Sequence, residues 1–292
     1  MPAIRYVALI AGLVLLGACA VQPGNAPPAK LALVIGNAAY ENAPPLANPV
    51  NDANDMCDAL RRLGFTTMCH SDVVDRSQFD AHVRRYVEQL APTSVGVVYY
   101  SGHGVQAGGA NYLIPTKVQP RGVAEDPTRV LYGVDELFDR LRARPTRFQL
   151  VILDACRSDL FGTPRRDSRG QTAATASRST LIRSLETVAR AANGLQPIQD
   201  APPSTIVLYA TASRDTAFDG EGRNGPLTKH VLRHIGTRGV PVEEFLKRVT
   251  QGVETETARD YGRRQTPYTY GSFGGTFCFA GCPGAGEIPP SF

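Results

Sequence analysis

The chain has 292 residues, of which 42% are hydrophobic and 20% are charged, as in an ordinary globular protein with a sizeable core. Its 31 Lys and Arg residues against 27 Asp and Glu residues leave a net charge of +4, which is too small and too dispersed to indicate a nucleic-acid-binding surface. No sequence period of about 20 to 50 residues recurs, which argues against a solenoid or a propeller.

The N-terminus has the features of an export signal. One Arg precedes an apolar run from Tyr6 to Leu16, and small residues follow, which predicts a signal peptide over residues 1–18. A membrane-spanning helix is the alternative, but the uncharged stretch of about 15 residues is shorter than the roughly 20 that a bilayer core requires.

The segment that follows the apolar run resembles the cleavage site of bacterial lipoproteins. It reads Leu16-Gly17-Ala18-Cys19, and the resemblance implies that Cys19 becomes lipidated. Ala20 in the next position favours the outer membrane. Residues 19–29 are polar and proline-rich, as expected of a tether. The sequence therefore predicts an exported lipoprotein, held on the periplasmic side of the bacterial envelope through Cys19.

Apolar runs alternate with amphipathic segments through the first half of the chain. The runs Leu31 to Ile35, Val95 to Tyr100 and Leu150 to Leu153 indicate parallel strands that are covered on both faces. Helical spacing of apolar residues predicts helices over 53–63, 79–90 and 135–143. This alternation implies right-handed crossovers and a doubly wound α/β sheet.

The rest of the chain departs from this alternation before it returns to it. Gly108-Gly109 predicts a hairpin over Val105 to Ile114, and residues 157–203 predict an unusually long loop without apolar periodicity. A strand over 205–210, a helix that Pro226 begins, a longer helix that Pro241 begins and a terminal strand over 273–279 are expected after the loop.

The six cysteines indicate an oxidising compartment. With Cys19 assigned to lipid and Cys156 to chemistry, four remain: Cys57, Cys69, Cys278 and Cys282. Closeness in sequence favours the pairs 57–69 and 278–282, although four cysteines allow three pairings and buried free thiols are the alternative. No His-x3-His lies near the Cys-x3-Cys segment, so we predict no metal site.

Cys156 and His103 each stand at the carboxyl end of an expected strand. If these strands are neighbours, about 4.8 Å apart, both residues emerge at the rim where open α/β sheets bind ligands. A thiol is only a few per cent ionised at neutral pH, and an imidazole can accept its proton. Together the two residues predict a nucleophile and its base, with the amides of Gly104 and Cys156 as an oxyanion hole.

Two polar residues precede this pair on the same strands. Alternation places Asp154 on the side of Cys156, and Ser101 on the side of His103. A buried carboxylate without a partner costs several kcal/mol, so we expect a cation beside Asp154. A substrate guanidinium is one candidate, and an internal Arg or a helix cap is the alternative.

Two of these segments, Tyr99 to Gly104 and Asp154 to Arg157, resemble the His and Cys blocks of the caspase-like cysteine peptidases of the C14 type. The bacterial metacaspase type is most similar. Segments in the same order extend the resemblance from residue 30 to residue 250, at 31–37, 46–53, 209–212 and 222–228. The resemblance implies a doubly wound, mostly parallel six-stranded sheet with helices on both faces.

The same resemblance implies a domain plan. A catalytic domain over 30–280 contains a large-subunit-like part (30–160), a linker loop (161–203) and a small-subunit-like part (204–280), and residues 281–292 form a tail.

Carried over to this chain, the resemblance makes His103 and Cys156 the catalytic dyad. It also implies a pocket for Arg or Lys at P1, formed by Asp52, Ser101 and Asp154. The expected activity is therefore endopeptidase cleavage of a peptide or protein after basic residues, through an acyl-enzyme.

Lys117 departs from the family pattern, in which an Asp commonly follows shortly after the segment Tyr112 to Pro115. The substitution lowers the acidity expected of the cleft and puts the exact P1 preference in question. Calcium dependence occurs in the family, but the sequence has no compact cluster of oxygen ligands, so we predict no cofactor.

Other interpretations of the sequence stay open. Self-cleavage in the linker is a hypothesis, with a basic solvated linker as its alternative, because six arginines lie there. They are Arg165, Arg166, Arg169, Arg178, Arg183 and Arg190. The domain could instead be a non-catalytic scaffold of the cell envelope, although a scaffold has no use for a His and Cys pair. Acyl transfer to an amine would use the same intermediate as hydrolysis.

Overall fold

The computed structural model describes residues 29–107, 110–119, 121, 126–156, 201–211, 217–218 and 220–283, and for Gln106, Ala107 and Cys156 it describes the backbone alone. Several predictions fall outside these residues: the signal peptide, the lipidation site Cys19, the Gly108-Gly109 turn, the six linker arginines and most of the tail. Within the described residues, no helix is both long and apolar enough to cross a bilayer.

The described strands form one sheet around which the helices pack. They are β1 (Lys30–Gly36), β2 (Thr66–Ser71), β3 (Val95–Ala107), β4 (Ala110–Leu113), β5 (Tyr132–Gly133), β6 (Phe148–Cys156), β7 (Thr205–Tyr209) and β8 (Tyr268–Gly271). The main path runs β2-β1-β3-β6-β7-β8, with the first five strands parallel and β8 antiparallel to β7. The predicted six-stranded, mostly parallel sheet is confirmed.

The far end of β3 leaves this sheet and forms the predicted hairpin. Gly104 to Ala107 pair antiparallel with β4, and β4 pairs antiparallel with β5. β3 is therefore one long strand whose first part lies in the main sheet and whose last part forms the hairpin. His103 lies where the two parts meet.

Helices cover both faces of the sheet. They are α1 (Pro49–Arg62), α2 (Arg76–Glu88), α3 (Pro127–Val130), α4 (Val134–Arg142), α5 (Pro226–Ile235) and α6 (Val242–Tyr261). Helices α1, α5 and α6 pack in the core on one face, and α2 and α4 pack in the core on the other. Strand alternation supplies both cores: Ala32 and Val34 face the first, and Leu33 and Ile35 face the second.

Local chemistry sets the helix ends near the site. Pro49 occupies the first turn of α1, where its missing N–H is tolerated, and Gly64 has a φ of +83° just beyond the C-terminal end. The side chain of Asp75 accepts a hydrogen bond from the amide of Gln78 at 2.8 Å and caps α2.

Two features of the sheet differ from the sequence prediction. The terminal strand lies at Tyr268–Gly271, and residues 273–279 are irregular, so the strand predicted over 273–279 is wrong. Gly271, with a φ of +95°, ends the pairing with β7, and Phe277 and Phe279 then turn into the core. The edge strand β2 was not predicted, because its half-exposed segment Thr66–Ser71 is mostly polar.

The described residues include two disulfides. Cys57 of α1 is bonded to Cys69 of β2, with Cα atoms 6.4 Å apart, and Cys278 is bonded to Cys282, with Cα atoms 5.2 Å apart. These are the pairs that closeness in sequence favours. The first ties the helix that carries Asp52 to the edge of the sheet.

Candidate active site

The neighbouring parallel strands β3 and β6 bring the candidate residues into register. His103 lies opposite Cys156, and Ser101 lies opposite Asp154, on backbones that are about 4.8 Å apart in a β-sheet. Both pairs lie at the carboxyl ends of their strands, which is the edge where open α/β sheets bind ligands.

The imidazole of His103 is held in one orientation. Its Nε2 lies 2.8 Å from the carbonyl oxygen of Pro44, and the residue is 6% exposed. Because a carbonyl oxygen only accepts hydrogen bonds, Nε2 carries the proton and donates it to this contact. In the neutral ring Nδ1 is then the basic nitrogen, so the Pro44 carbonyl fixes the tautomer.

Two tyrosines hold the backbone of His103. The Tyr40 hydroxyl accepts a hydrogen bond from the His103 amide at 2.8 Å, and the Tyr100 hydroxyl donates one to the His103 carbonyl at 2.8 Å. Between them, Gly102 has a φ of +153°, and a Cβ there would lie 2.7 Å from each hydroxyl. The strand can follow this path only because residue 102 is glycine.

The two carboxylates of the predicted pocket are held by neutral donors. Asp52, on the first turn of α1, accepts hydrogen bonds from the Ser101 hydroxyl at 3.2 Å and from the Gly225 amide at 3.1 Å. Asp154 accepts one from the Thr228 hydroxyl at 2.7 Å. The structure therefore brings Asp52, Ser101 and Asp154 together beside the His103 and Cys156 register.

This arrangement makes the charge on Asp52 costly. Burial, and then the negative charge of Asp154, raise the pKa of Asp52 to about 8, although hydrogen bonds from Asn224, Gly225 and Ser101 act in the opposite direction. Asp52 is 2% exposed, and within the described part of the chain it forms no ion pair. Asp52 therefore binds its proton more tightly than an exposed carboxyl group does.

The rim of the pocket carries an ion pair that the sequence did not predict. Arg223 Nε and Nη2 each donate to a different Asp55 oxygen at 2.9 Å, and Asn224 Nδ2 donates to Asp55 at 2.9 Å. Asp55 lies one helical turn after Asp52 on α1.

Lys117 does not stand alone at the cleft. Its Nζ lies 2.9 Å from Glu41 Oε1, and both side chains are about half exposed. Beside this pair, the Glu41 amide donates a backbone hydrogen bond to the Thr116 carbonyl at 3.0 Å. The positive charge that distinguishes this chain from the family pattern is thus locally balanced.

Several contacts at the site were missed by sequence reasoning. The Pro44 carbonyl is a backbone group without any side-chain signal, and its position depends on how the 37–46 loop folds. Thr228 and Gly225 lie in a segment that resembles the family pattern, and this resemblance was the only feature of the sequence that pointed to them. Within the described residues, no group of three His, Cys, Asp or Glu side chains is placed to hold a metal ion.

The fold agrees with a comparison to known families. The family model described as the caspase domain matches residues 29–277, and the chain belongs to this family of cysteine peptidases.

Two curated relatives match a shorter part of the chain. They are the mucosa-associated lymphoid tissue lymphoma translocation protein 1 of Homo sapiens and its homolog of Mus musculus. Each is 28% identical over 130 residues, which is 44% of this chain and 15% of the relative. The match therefore spans a small part of those longer proteins.

Proposed function

We propose that this protein is a cysteine endopeptidase that cleaves after Arg or Lys, with His103 and Cys156 as its dyad. The observation that carries the proposal is the register of β3 and β6, which sets these two residues opposite each other at the ligand-binding edge of the sheet. The tautomer fixed by the Pro44 carbonyl gives the base the nitrogen that proton transfer requires.

In the proposed reaction, His103 Nδ1 accepts the thiol proton of Cys156. The thiolate attacks the scissile carbonyl carbon, and the amides of Gly104 and Cys156 stabilise the resulting oxyanion. His103 then gives its proton to the leaving amine, and the acyl group stays on Cys156. Water, deprotonated by His103, attacks this thioester and releases the carboxylate product and the free thiol.

The basic P1 preference is supported by the carboxylate pair. A guanidinium or ammonium group beside Asp52 and Asp154 would give Asp52 an ion-pair partner, which it does not have within the described part of the chain. A P1 Asp would place a further carboxylate beside Asp52 and Asp154, which electrostatic repulsion disfavours at low dielectric.

A fluorogenic panel with Arg, Lys, Asp and Asn at P1 tests both parts of the proposal. We expect turnover of the Arg and Lys substrates by the wild type, and none above background by Cys156→Ala. Equal signals from the two proteins would refute the peptidase proposal, whereas a preference for Asp would refute only the pocket. A peptidyl-Arg chloromethyl ketone alkylates a thiol with loss of HCl, so it should add the mass of one inhibitor less HCl to the wild type and nothing to Cys156→Ala.

Self-processing in the linker is part of the same proposal. Wild-type protein should be cleaved after one or more linker arginines, so that the mass of the intact chain disappears. Cys156→Ala protein should keep the mass of its intact chain. An uncleaved chain in both proteins would refute self-processing and leave the peptidase proposal in place.

A further inference from the structure

The segment after β7 contacts both carboxylates of the pocket, and one ion pair anchors it. Over residues 223–228 it supplies the amide that binds Asp52 and the hydroxyl that binds Asp154. Its first residue, Arg223, forms the two-bond ion pair with Asp55 on α1. Both ends of the segment are thus tied to elements that carry pocket residues.

We propose that Asp55 and Arg223 form a clamp that positions this segment and so sets the affinity for the basic P1 residue. The inference rests on the proposed function, because it concerns the same pocket. Asp55 and Arg223 are positioning residues: they act through Gly225 and Asn224, since neither is assigned a contact with the substrate.

The geometry supports a clamp rather than a chance surface contact. Arg223 uses its planar guanidinium to bond both carboxylate oxygens, an arrangement that fixes orientation as well as distance. Asn224 adds a third bond to the same carboxylate. Two residues further along the chain from Arg223, the Gly225 amide reaches Asp52, so a shift of Arg223 moves this donor directly.

Charge repulsion alone predicts a change in KM that is opposite to the change predicted by the clamp. Arg223 carries a positive charge close to Asp52, and it would repel a cationic P1 side chain. If charge alone mattered, removal of Arg223 would lower the KM for an Arg substrate. If the clamp positions the pocket, removal of Arg223 raises the KM. It leaves kcat nearly unchanged, because His103 and Cys156 lie on β3 and β6, away from the segment that Arg223 begins.

The test compares Arg223→Ala with a matched control, Arg248→Ala. Arg248 pairs with Glu244 within α6, so its removal also deletes one surface ion pair while it leaves the pocket intact. For a P1-Arg substrate we expect Arg223→Ala to raise KM about fivefold with kcat within about twofold, as the loss of one partly exposed pair allows. Arg248→Ala should keep both constants.

A double-mutant cycle shows whether the two residues act as one unit. Asp55→Asn and the double variant Asp55→Asn/Arg223→Ala should each raise KM by about the same factor as Arg223→Ala. Arg223→Lys, which keeps the charge but not the fork, should give an intermediate value. A KM that falls or stays unchanged in Arg223→Ala, or factors that multiply in the double variant, would overturn the clamp.

Hydrogen exchange provides a readout that does not need activity. The Gly225 amide should exchange faster in Arg223→Ala than in the wild type or in Arg248→Ala, because its hydrogen bond to Asp52 is no longer held. Unchanged protection would overturn the clamp even if no basic substrate were cleaved. Faster exchange in a protein that cleaves no basic substrate would refute the proposed function and retain the clamp.

Discussion

Asp52 should make the protein less stable as the pH rises, which is the reverse of the effect of an ordinary ion-paired carboxylate. Its pKa of about 8 in the folded state lies far above the value of 3.8 that an exposed Asp has in an unfolded chain. Between these values the folded state binds more protons than the unfolded state, so the free energy of unfolding decreases with increasing pH. The contribution is present at low pH and is lost as the pH approaches 8.

The magnitude follows from the proton difference. A difference of one proton changes the free energy of unfolding by about 1.4 kcal/mol per pH unit, so Asp52 removes about 2 to 3 kcal/mol between pH 5 and pH 7. Asp52→Asn keeps the side-chain shape and cannot ionise. The free energy of unfolding of Asp52→Asn should therefore lack this decrease. The difference between variant and wild type should become about 2 to 3 kcal/mol more favourable to the variant at pH 7 than at pH 5.

Urea denaturation followed by circular dichroism at pH 5 and pH 7 measures the effect. Contributions from titrating groups distant from Asp52 cancel in the difference between the two proteins. Asp58→Asn is the matched control, because Asp58 lies on the same helix in an exposed ion pair with Arg61. If Asp52→Asn and the wild type changed equally between the two pH values, the account of the buried carboxylate pair would be refuted.

Substrate binding should report the same proton. A P1 guanidinium needs the ionised carboxylate, so its binding expels the proton that the empty pocket holds below pH 8. The KM of a P1-Arg substrate should therefore rise as the pH falls, by up to about tenfold per pH unit. Asp52→Asn should have a high KM without this dependence, and a wild-type KM that is flat from pH 6 to pH 8 would contradict the interpretation.

Three further outcomes follow from other features. Gly102→Ala should destabilise the fold by about 2 kcal/mol and lower kcat, because its methyl group would overlap two tyrosine hydroxyls. Gly236→Ala is the control, since a methyl group there meets open space, and equal unfolding curves for the two variants would contradict the prediction. Cys57→Ala/Cys69→Ala should lower the free energy of unfolding by about 3 kcal/mol. A reducing agent should destabilise the wild type more than this variant, and equal losses of stability would contradict the contribution of this bond. Cys19→Ala should abolish incorporation of labelled palmitate and move the protein from the membrane to the soluble fraction, and label retained in the variant would refute the proposed lipoprotein anchor.

The sequence predicted the central sheet well because its strands are buried on both faces. The runs around Val34, Val98 and Val151 are apolar throughout, which a strand needs when helices cover both sides. The edge strands carried weaker signals. β2 is half-exposed and polar, and the terminal aromatic residues Phe277 and Phe279 suggested a strand although they fill the core from an irregular segment.

The candidate site divides in the same way. His103 and Cys156 could be predicted because each follows directly on a strong strand signal, and parallel strands fix which ends meet. The position of the Pro44 carbonyl could not, since backbone groups leave no mark in the sequence. The Asp55 and Arg223 pair joins residues 168 positions apart, and only the folded chain brings them together.

The pocket is assembled from parts of the chain that are made at very different times during synthesis. Asp52, Ser101 and Asp154 precede the long linker, whereas the donors that hold the two carboxylates, Gly225 and Thr228, follow it. A growing or truncated chain that ends before residue 225 therefore lacks both of these donors. Under the proposed function, the order of the segments would therefore delay recognition of basic residues until the chain has been synthesised as far as Thr228.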